Sequence, residues 1–126
     1  MPHVNVGAFS LSVDEEGSGI PVLLIHGTAA NLWGDVPRLL APRFRVISYD
    51  RRGFGASPSP PLKSLTSHAN DAATLLVTLA ASPAIIVGWS IGGVVALELA
   101  ISHPELVRGL VLLEPPLYAK RRPTLR

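Results

Sequence analysis

The stretch Gly88-Trp89-Ser90-Ile91-Gly92 decides the fold. An apolar run, Pro83–Trp89, precedes the serine, and an apolar helical stretch, Ile91–Ser102, follows it. A G-x-S-x-G segment between a strand and a helix is typical of a sharp turn that holds the serine in a strained backbone conformation. The two glycines remove Cβ atoms that would clash there. We therefore expect a bend at Ser90, although a tight turn that merely needs small residues would show the same pattern.

Short β-forming runs alternate with helical patterns on either side of this turn. The Pro21–His26 run is continuously apolar, as in strands that are buried on both faces. Two runs near the start of the chain flank Gly7 and predict a hairpin. The six predicted strands are His3–Val6, Phe9–Val13, Pro21–His26, Phe44–Asp50, Pro83–Trp89 and Val107–Glu114.

Three helical patterns lie between the later strands. The apolar faces of the first two carry Leu32, Val36, Leu39 and Leu40, and Leu65, Ala69, Ala72, Leu76 and Leu79. The third, Ile91–Ser102, is apolar nearly all round, which predicts deep packing. Strands that alternate with such helices indicate an α/β fold, a mostly parallel sheet with helices on both faces. Functional sites of such sheets lie at the carboxyl ends of the strands.

Ser90 is the candidate nucleophile at one of these strand ends. The turn projects its hydroxyl out of the sheet, and the backbone N–H of Ile91 points toward an oxyanion that develops on a bound carbonyl. His26-Gly27-Thr28 ends an earlier strand, and the Thr28 backbone N–H is the candidate second donor. His26 is either a general base or an imidazole that pins this loop through backbone hydrogen bonds. The second interpretation is favoured, because the loop lies on the oxyanion side of the serine.

The segment Asp50–Ser57 follows the fourth strand and is rich in glycine and arginine. Its glycines permit tight turns, and Asp50 is expected to pair with Arg51 or Arg52 through charge-assisted hydrogen bonds. A structural role is favoured over catalysis, because no proton acceptor here is paired with a nucleophile. The residues predicted to structure the loops are His26, Gly27, Asp50 and Arg51.

The composition narrows the class of protein. The chain has 126 residues, of which 48% are hydrophobic and 16% charged, and this predicts a single folded domain over residues 1–126. The absence of cysteine excludes disulfide scaffolds, thiol catalysis and cysteine-ligated metals. The four histidines are far apart in the sequence, so we expect no metal site and no cofactor.

Charge and hydropathy give no support for a nucleic-acid or membrane partner. The net charge is +2, and the basic tail over residues 117–126 holds four cations. No base-reading motif accompanies this tail, which we interpret as a solvated end. Every apolar stretch is far shorter than the roughly 20 residues of a membrane span, and the first residues lack an export signal. We expect a soluble cytoplasmic protein that acts on a small molecule.

Three motifs, in this order and spacing, resemble the α/β-hydrolase superfamily. They are His26-Gly27, Asp50-Arg51-Arg52-Gly53-Phe54-Gly55-Ala56-Ser57 and Gly88-Trp89-Ser90-Ile91-Gly92-Gly93. Trp33 and the segment His103–Val107 also fit the family's pattern. The resemblance covers essentially the whole chain and is closest to esterases, lactonases and cofactor-free haloperoxidase-like members. It implies Ser90 as the nucleophile, with the N–H groups of Thr28 and Ile91 as the oxyanion hole.

The sequence departs from that family after Ser90. The family places an acid and then a histidine after the serine, whereas this chain ends 36 residues after Ser90. We expect a core truncated after the sixth strand, without the cap and the last two strands. His103, roughly 18 Å away along the helix, is interpreted as a helix C-terminal residue. Glu114 stands where some members place the acid, so it is either a catalytic acid or a strand-end carboxylate bonded to nearby backbone or to an arginine.

A core truncated in this way predicts self-association. The chain would be a fragment, half of a split enzyme or a self-sufficient small protein. In each case the Val107–Leu113 strand is an unpaired edge next to an apolar face, which invites pairing with another chain. We expect a homodimer, or a complementing chain, through this strand edge.

Two classes of function remain in competition. The leading hypothesis is a serine hydrolase that acts on carboxylic esters or related acyl compounds through an acyl-enzyme. The alternative is a non-catalytic binding or assembly module that keeps the fold, which the missing histidine supports. A cofactor-free haloperoxidase-type activity is a weaker third hypothesis. Nucleotide binding is disfavoured, because Gly88–Gly93 lacks both the G-x-G-x-x-G spacing and a P-loop lysine.

Overall fold

A computed structural model describes residues 2–7, 9–29, 32–57 and 64–117. The elements, in chain order, are β1 (His3–Val6), β2 (Phe9–Glu16), β3 (Ile20–Ile25), α1 (Val36–Leu40), β4 (Phe44–Tyr49), α2 (Leu65–Thr78), β5 (Ala84–Trp89), α3 (Ile91–Ser102) and β6 (Val107–Leu113). A single 3₁₀ turn, Pro104–Leu106, joins α3 to β6. The six predicted strands are therefore present, with bounds that differ by a few residues at most. The predicted basic tail lies outside the described residues, apart from its first position.

The strands form one sheet in the order β1-β2-β4-β3-β5-β6. The β1–β2 and β2–β4 pairs are antiparallel, and the β3–β4, β3–β5 and β5–β6 pairs are parallel. Each parallel connection includes a helix, as a crossover between parallel strands requires. The arrangement confirms the predicted α/β sheet and places β6 at one edge of it.

Alternating residues of the central strands supply two cores. Leu23 and Ile25 of β3 face the larger core, which α2 and α3 cover. Val22 and Leu24 face the smaller core on the other side of the sheet, together with Trp33. This alternation explains why β3 reads as a continuous apolar run, because both of its faces are buried.

The first helix differs from its prediction. Helix α1 has only five residues and buries none of them, and Leu32, Val36 and Leu39 are all exposed. Trp33, which the predicted apolar face did not include, is the buried residue of this segment. A five-residue helix makes little more than one turn, so it presents no continuous stripe to the sheet.

The two longer helices agree better with the sequence. Four of the five residues predicted for the apolar face of α2 lie in the helix, and Ala69, Ala72 and Leu76 are buried. Helix α3 has the predicted bounds, but its deep packing ends at Leu99, since the side chain of Ile101 is exposed. The buried part of α3 begins at Gly92, two residues after Ser90.

Candidate active site

Ser90 joins β5 to α3 through a sharp bend. Its φ is 57° and its ψ is −123°, a conformation that costs free energy for any residue with a side chain. The Ser90 N–H donates to the Leu113 carbonyl oxygen at 2.8 Å, and the Gly93 N–H donates to the Ser90 carbonyl oxygen at 2.8 Å. These bonds tie the bend to the end of β6 and to the first turn of α3. The predicted strained turn is therefore present at Ser90.

The glycines beside Ser90 are required by close backbone packing. A Cβ on Gly88 would stand 2.6 Å from the Gly93 Cα, and a Cβ on Gly92 would collide with the carbonyl oxygens of Ile25 and His26. Neither contact can be relieved by turning a flexible side chain, because the obstructing atoms belong to the backbone. The G-x-S-x-G spacing thus lets α3 approach β3 and β5 closely enough to hold the bend.

A cavity of about 240 Å³ lies at this strand end, and we call it the Ser90 cavity. Its described lining consists of Gly27, Thr28, Ala29, Leu32, Trp89, Ser90 and Glu114. A Cβ added to Gly27 would stand 3.7 Å from the Ser90 hydroxyl oxygen, so the loop after β3 directly faces the serine. The structure thereby brings Thr28, Ser90 and Glu114 together around one space. Ile91 is the first residue of α3, where backbone N–H groups have no acceptor within the helix.

Glu114 reaches this cavity from the neighbouring strand. In the β5–β6 ladder, Trp89 is paired with Leu113, so Ser90 and Glu114 are the next residues on their two strands. Glu114 also has a positive φ of 51°, and its side chain is exposed. The strand-end position anticipated from the sequence therefore lies beside the serine.

His26 lies behind the cavity wall and serves the loops. Its Nε2 accepts the Arg51 N–H at 2.8 Å, and its Nδ1 lies 2.9 Å from the Gly27 carbonyl oxygen and donates to it. The imidazole is fully buried, and this burial lowers its pKa from 6.5 to about 4. Both ring nitrogens are occupied by the backbone, which agrees with the loop-pinning interpretation.

The Arg51 side chain binds the same loop backbone as His26. Its guanidinium donates to the carbonyl oxygens of His26 and Gly27 and lies 4.4 Å from the centre of the Phe54 ring. Only 3% of Arg51 is exposed, and burial lowers the pKa of its guanidinium. Arg51 therefore braces the backbone that forms one wall of the Ser90 cavity.

The prediction that Asp50 pairs with Arg51 or Arg52 was wrong. The Asp50 carboxylate accepts the Ala56 N–H at 2.9 Å, and the Asp50 carbonyl oxygen accepts the Ser57 hydroxyl. Arg52 instead binds the Asp71 carboxylate in a two-pronged pair, with N–O distances of 2.7 and 3.1 Å. Asp50 closes its own loop because Gly55 leaves room for the carboxylate, whereas Arg52 reaches across to α2.

The sequence alone did not indicate three residues of the Ser90 cavity, Ala29, Leu32 and Trp89. Trp89 lines the cavity beside Ser90 and packs at a tilt on Trp33, with ring centres 5.8 Å apart. Leu32 lines it as well, although the sequence placed Leu32 on a buried helix face. The position of Trp89 was a usable signal, since the residue directly before a nucleophile in the chain necessarily lies next to the site.

All four histidines lie in the described part of the chain, and none of them lines the Ser90 cavity. His3 is in β1, at the far edge of the sheet. His68 is buried in α2, where burial lowers its pKa to about 4. The Nδ1 of His103, at the end of α3, lies 3.6 Å from the Glu105 carboxylate. Across the described ranges, no group of three or more His, Asp and Glu side chains is arranged to hold a metal ion.

Comparison with known proteins identifies the family. Residues 20–124 match the family model for the alpha/beta hydrolase fold. The chain is 37% identical over 115 residues to 2-(acetamidomethylene)succinate hydrolase of Mesorhizobium japonicum, covering 89% of this chain and 41% of that protein. It is 38% identical over 106 residues to pimeloyl-[acyl-carrier protein] methyl ester esterase of Aeromonas hydrophila, covering 81% and 40%.

A solved structure agrees with these sequence matches. A thermophilic esterase from Thermogutta terrifontis superposes with a TM-score of 0.85 and 30% identity, covering 91% of this chain and 46% of that one. The chain thus spans less than half the length of the relatives that it matches. Within the part that the structure describes, no helix is both long and apolar enough to cross a membrane. The sequence match and the sheet together show that this chain belongs to the α/β hydrolase family.

Proposed function

We propose that this chain carries the nucleophile and oxyanion hole of a serine hydrolase that acts on carboxylic esters or related acyl compounds. The observation that carries the proposal is the strained backbone of Ser90 at the mouth of a cavity large enough for a small acyl group. Strain of this kind persists at functional sites because it holds a reactive group in place. The relatives named as an esterase and a hydrolase support the same class of reaction.

In the proposed reaction, the Ser90 hydroxyl oxygen bonds to the substrate carbonyl carbon while a base takes the hydroxyl proton. The electron pair of the carbonyl moves onto its oxygen, which the backbone N–H groups of Thr28 and Ile91 stabilise. Collapse of this intermediate expels the alcohol, which takes a proton, and leaves an acyl group on Ser90. Water then releases the acid and restores the serine.

The general base of this reaction comes from outside the residues around Ser90. The His26 imidazole is fully buried and both of its nitrogens are bound by backbone groups, so it has no free nitrogen for the serine proton. Glu114 is the carboxylate positioned to orient an incoming histidine, as the acid of a triad does. We therefore propose that a further polypeptide segment, in cis or in trans, supplies the histidine, and that Glu114 is the acid beside it.

A fluorophosphonate probe tests the nucleophile directly. We expect mass spectrometry of the folded protein to find the probe on Ser90, at a rate about 10²-fold above the exposed Ser82, because the oxyanion hole accelerates attack even without a base. Ser90→Ala should abolish this labelling, and Ser82→Ala should leave it unchanged. A folded protein in which Ser90 reacts no faster than Ser82 contradicts the proposal.

A second candidate function is a non-catalytic binding or assembly module. The observation that favours it is that no histidine is among the described residues that line the Ser90 cavity. Equal turnover of a short activated ester by the wild type and by Ser90→Ala would support this alternative. A clear loss of turnover in the variant supports the hydrolase instead.

A further inference from the structure

We propose that the Ser90 cavity selects acyl substrates that carry a positively charged group, such as an alkylammonium, which binds between the Glu114 carboxylate and the Trp89 indole. This inference rests on the proposed function, because it concerns substrates that react with Ser90. It assigns the Glu114 carboxylate a role alternative to that of a triad acid, and the two roles are distinguishable, since an acid would assist every substrate regardless of charge.

The first support is the position of Glu114. The β5–β6 register puts Ser90 and Glu114 at equivalent positions just past the paired residues Trp89 and Leu113. The hydrogen bond from the Ser90 N–H to the Leu113 carbonyl fixes the two strand ends together. A substrate group of a few atoms attached to the reacting carbonyl therefore lies within reach of the Glu114 carboxylate.

The second support is the backbone of Glu114. Its φ of 51° lies in the left-handed region, which glutamate rarely adopts. Among the described residues with a side chain, only Ala80, Ser90 and Glu114 have a positive φ, and two of these three line the same cavity. Strained residues cluster where a binding or catalytic geometry is held in place.

The third support is the charge balance of the cavity. Glu114 is the only ionisable side chain in its described lining. The nearby Arg51 guanidinium is 3% exposed and is directed at the carbonyl oxygens of His26 and Gly27, behind the cavity wall. The carboxylate is therefore the charged group that a substrate in the cavity can contact directly, and it attracts cations and repels anions.

The fourth support is the aromatic neighbour. Trp89 is held by its contact with Trp33, and it lines the same cavity as Glu114. An indole attracts a cation more strongly than the other aromatic side chains do. The side chains of these two lining residues, a carboxylate and an indole, together suit an alkylammonium group.

Three fluorophosphonates of equal length test the inference, with trimethylammonium, tert-butyl and sulfonate ends. We expect the labelling rate at Ser90 to be highest for the cationic probe and lowest for the anionic one, with a ratio of about 10 between them at low salt. The ratio should shrink at high ionic strength, because salt screens a partly exposed charge.

Two variants assign the preference to Glu114. Glu114→Gln should bring the cationic-to-anionic ratio close to one, and Glu114→Asn, a residue type that better tolerates a positive φ, should do the same if glutamine impairs folding. Glu105→Gln, at an exposed carboxylate away from the cavity, should keep the wild-type ratio.

The outcomes separate the two proposals. If none of the probes labels Ser90, the proposed nucleophile has failed, and this inference fails with it. If Ser90 is labelled but the three rates are equal, or if the ratio survives both Glu114 variants, the cationic subsite is wrong while the nucleophile stands.

Discussion

Gly92 carries the tightest backbone constraint beside the nucleophile. We expect Gly92→Ala to lower the free energy of unfolding by about 1–3 kcal/mol, because its new Cβ would overlap the carbonyl oxygens of Ile25 and His26. Gly109→Ala is the matched control, since no atom lies within 4 Å of its added Cβ, and its effect should stay within about 0.5 kcal/mol. Urea unfolding followed by tryptophan fluorescence measures both. Equal effects of the two substitutions would contradict the packing argument.

Two buried histidines make stability depend on pH. Burial lowers the pKa of both His26 and His68 from 6.5 to about 4. Between these values the unfolded chain binds protons that the folded chain does not. The free energy of unfolding should therefore fall as the pH drops from 6.5 toward 4, by up to about 1.4 kcal/mol per pH unit for each histidine.

His68 provides the test of this pH dependence, because it is not among the described residues that line the Ser90 cavity. Urea unfolding at a series of pH values between 7 and 5 should show a steep decline in the wild type and about half that decline in His68→Gln. His103→Gln, at the partly exposed end of α3, is the matched control and should keep the full decline. An identical slope in the wild type and in His68→Gln would show that His68 does not contribute.

The sequence predicted the residues whose roles are local. The bend at Ser90 and the two glycines follow from three neighbouring backbone positions, and the loop-pinning role of His26 follows from its place at a strand end. The partner of Arg52 did not follow, because Asp71 comes from a helix 19 residues further along the chain. Such a partner depends on how α2 packs against the sheet, which local patterns do not encode.

At the scale of elements, the Arg52–Asp71 pair ties the 50–57 loop to α2. The Arg52 and Asp71 side chains are 19% and 8% exposed. Removing one partner therefore leaves the other as a poorly solvated charge. We expect Arg52→Ala to lower the free energy of unfolding by about 3 kcal/mol. Arg38→Ala is the control, since Arg38 and Asp35 are 65% and 73% exposed, and its effect should stay below about 0.5 kcal/mol. Thermal unfolding in which both variants lose the same stability would refute this assignment.

Helices α1 and α2 show which elements a pattern can predict. In α2 the apolar residues recur over 14 positions, long enough for one face to pack on the sheet, and the structure agrees. In α1 the apolar residues suggested a similar face, but the helix lasts only five residues, and Leu39 is exposed. Spacing alone does not reveal the length of a helix, and a helix that is too short has no face to bury.

At the scale of the whole molecule, the sheet ends at β6. Val111 and Leu113, on the edge strand, are 44% and 42% exposed, although both are large apolar residues. The relatives extend over about twice the length of this chain. An edge strand presents unpaired backbone N–H and C=O groups, so this edge is the natural place for another strand to pair. The sequence predicted that edge because the sixth strand was the last strand pattern that it contained.

We propose that two copies of this chain associate through β6 about a twofold axis. Edge pairing of β6 with its symmetry mate would extend the sheet and cover part of the exposed surface of Val111 and Leu113 with side chains of the other copy. We expect light scattering at about 10 μM to give a mass of two chains. Val111→Lys should shift the mass toward one chain, because a lysine on an edge strand opposes pairing. Leu39→Lys, an equal change at an exposed residue of α1, should leave the dimer intact.

A monomeric mass of the wild type would rule out the homodimer. The β6 edge would then be available to a polypeptide segment of different sequence. Such a segment is also the source proposed for the histidine. The oligomeric state therefore decides whether the β6 edge is available to the segment that would complete the site. Twofold pairing at β6 occupies the edge with a second copy, whereas a free edge in a folded monomer keeps it available for the polypeptide that would complete the site at Ser90.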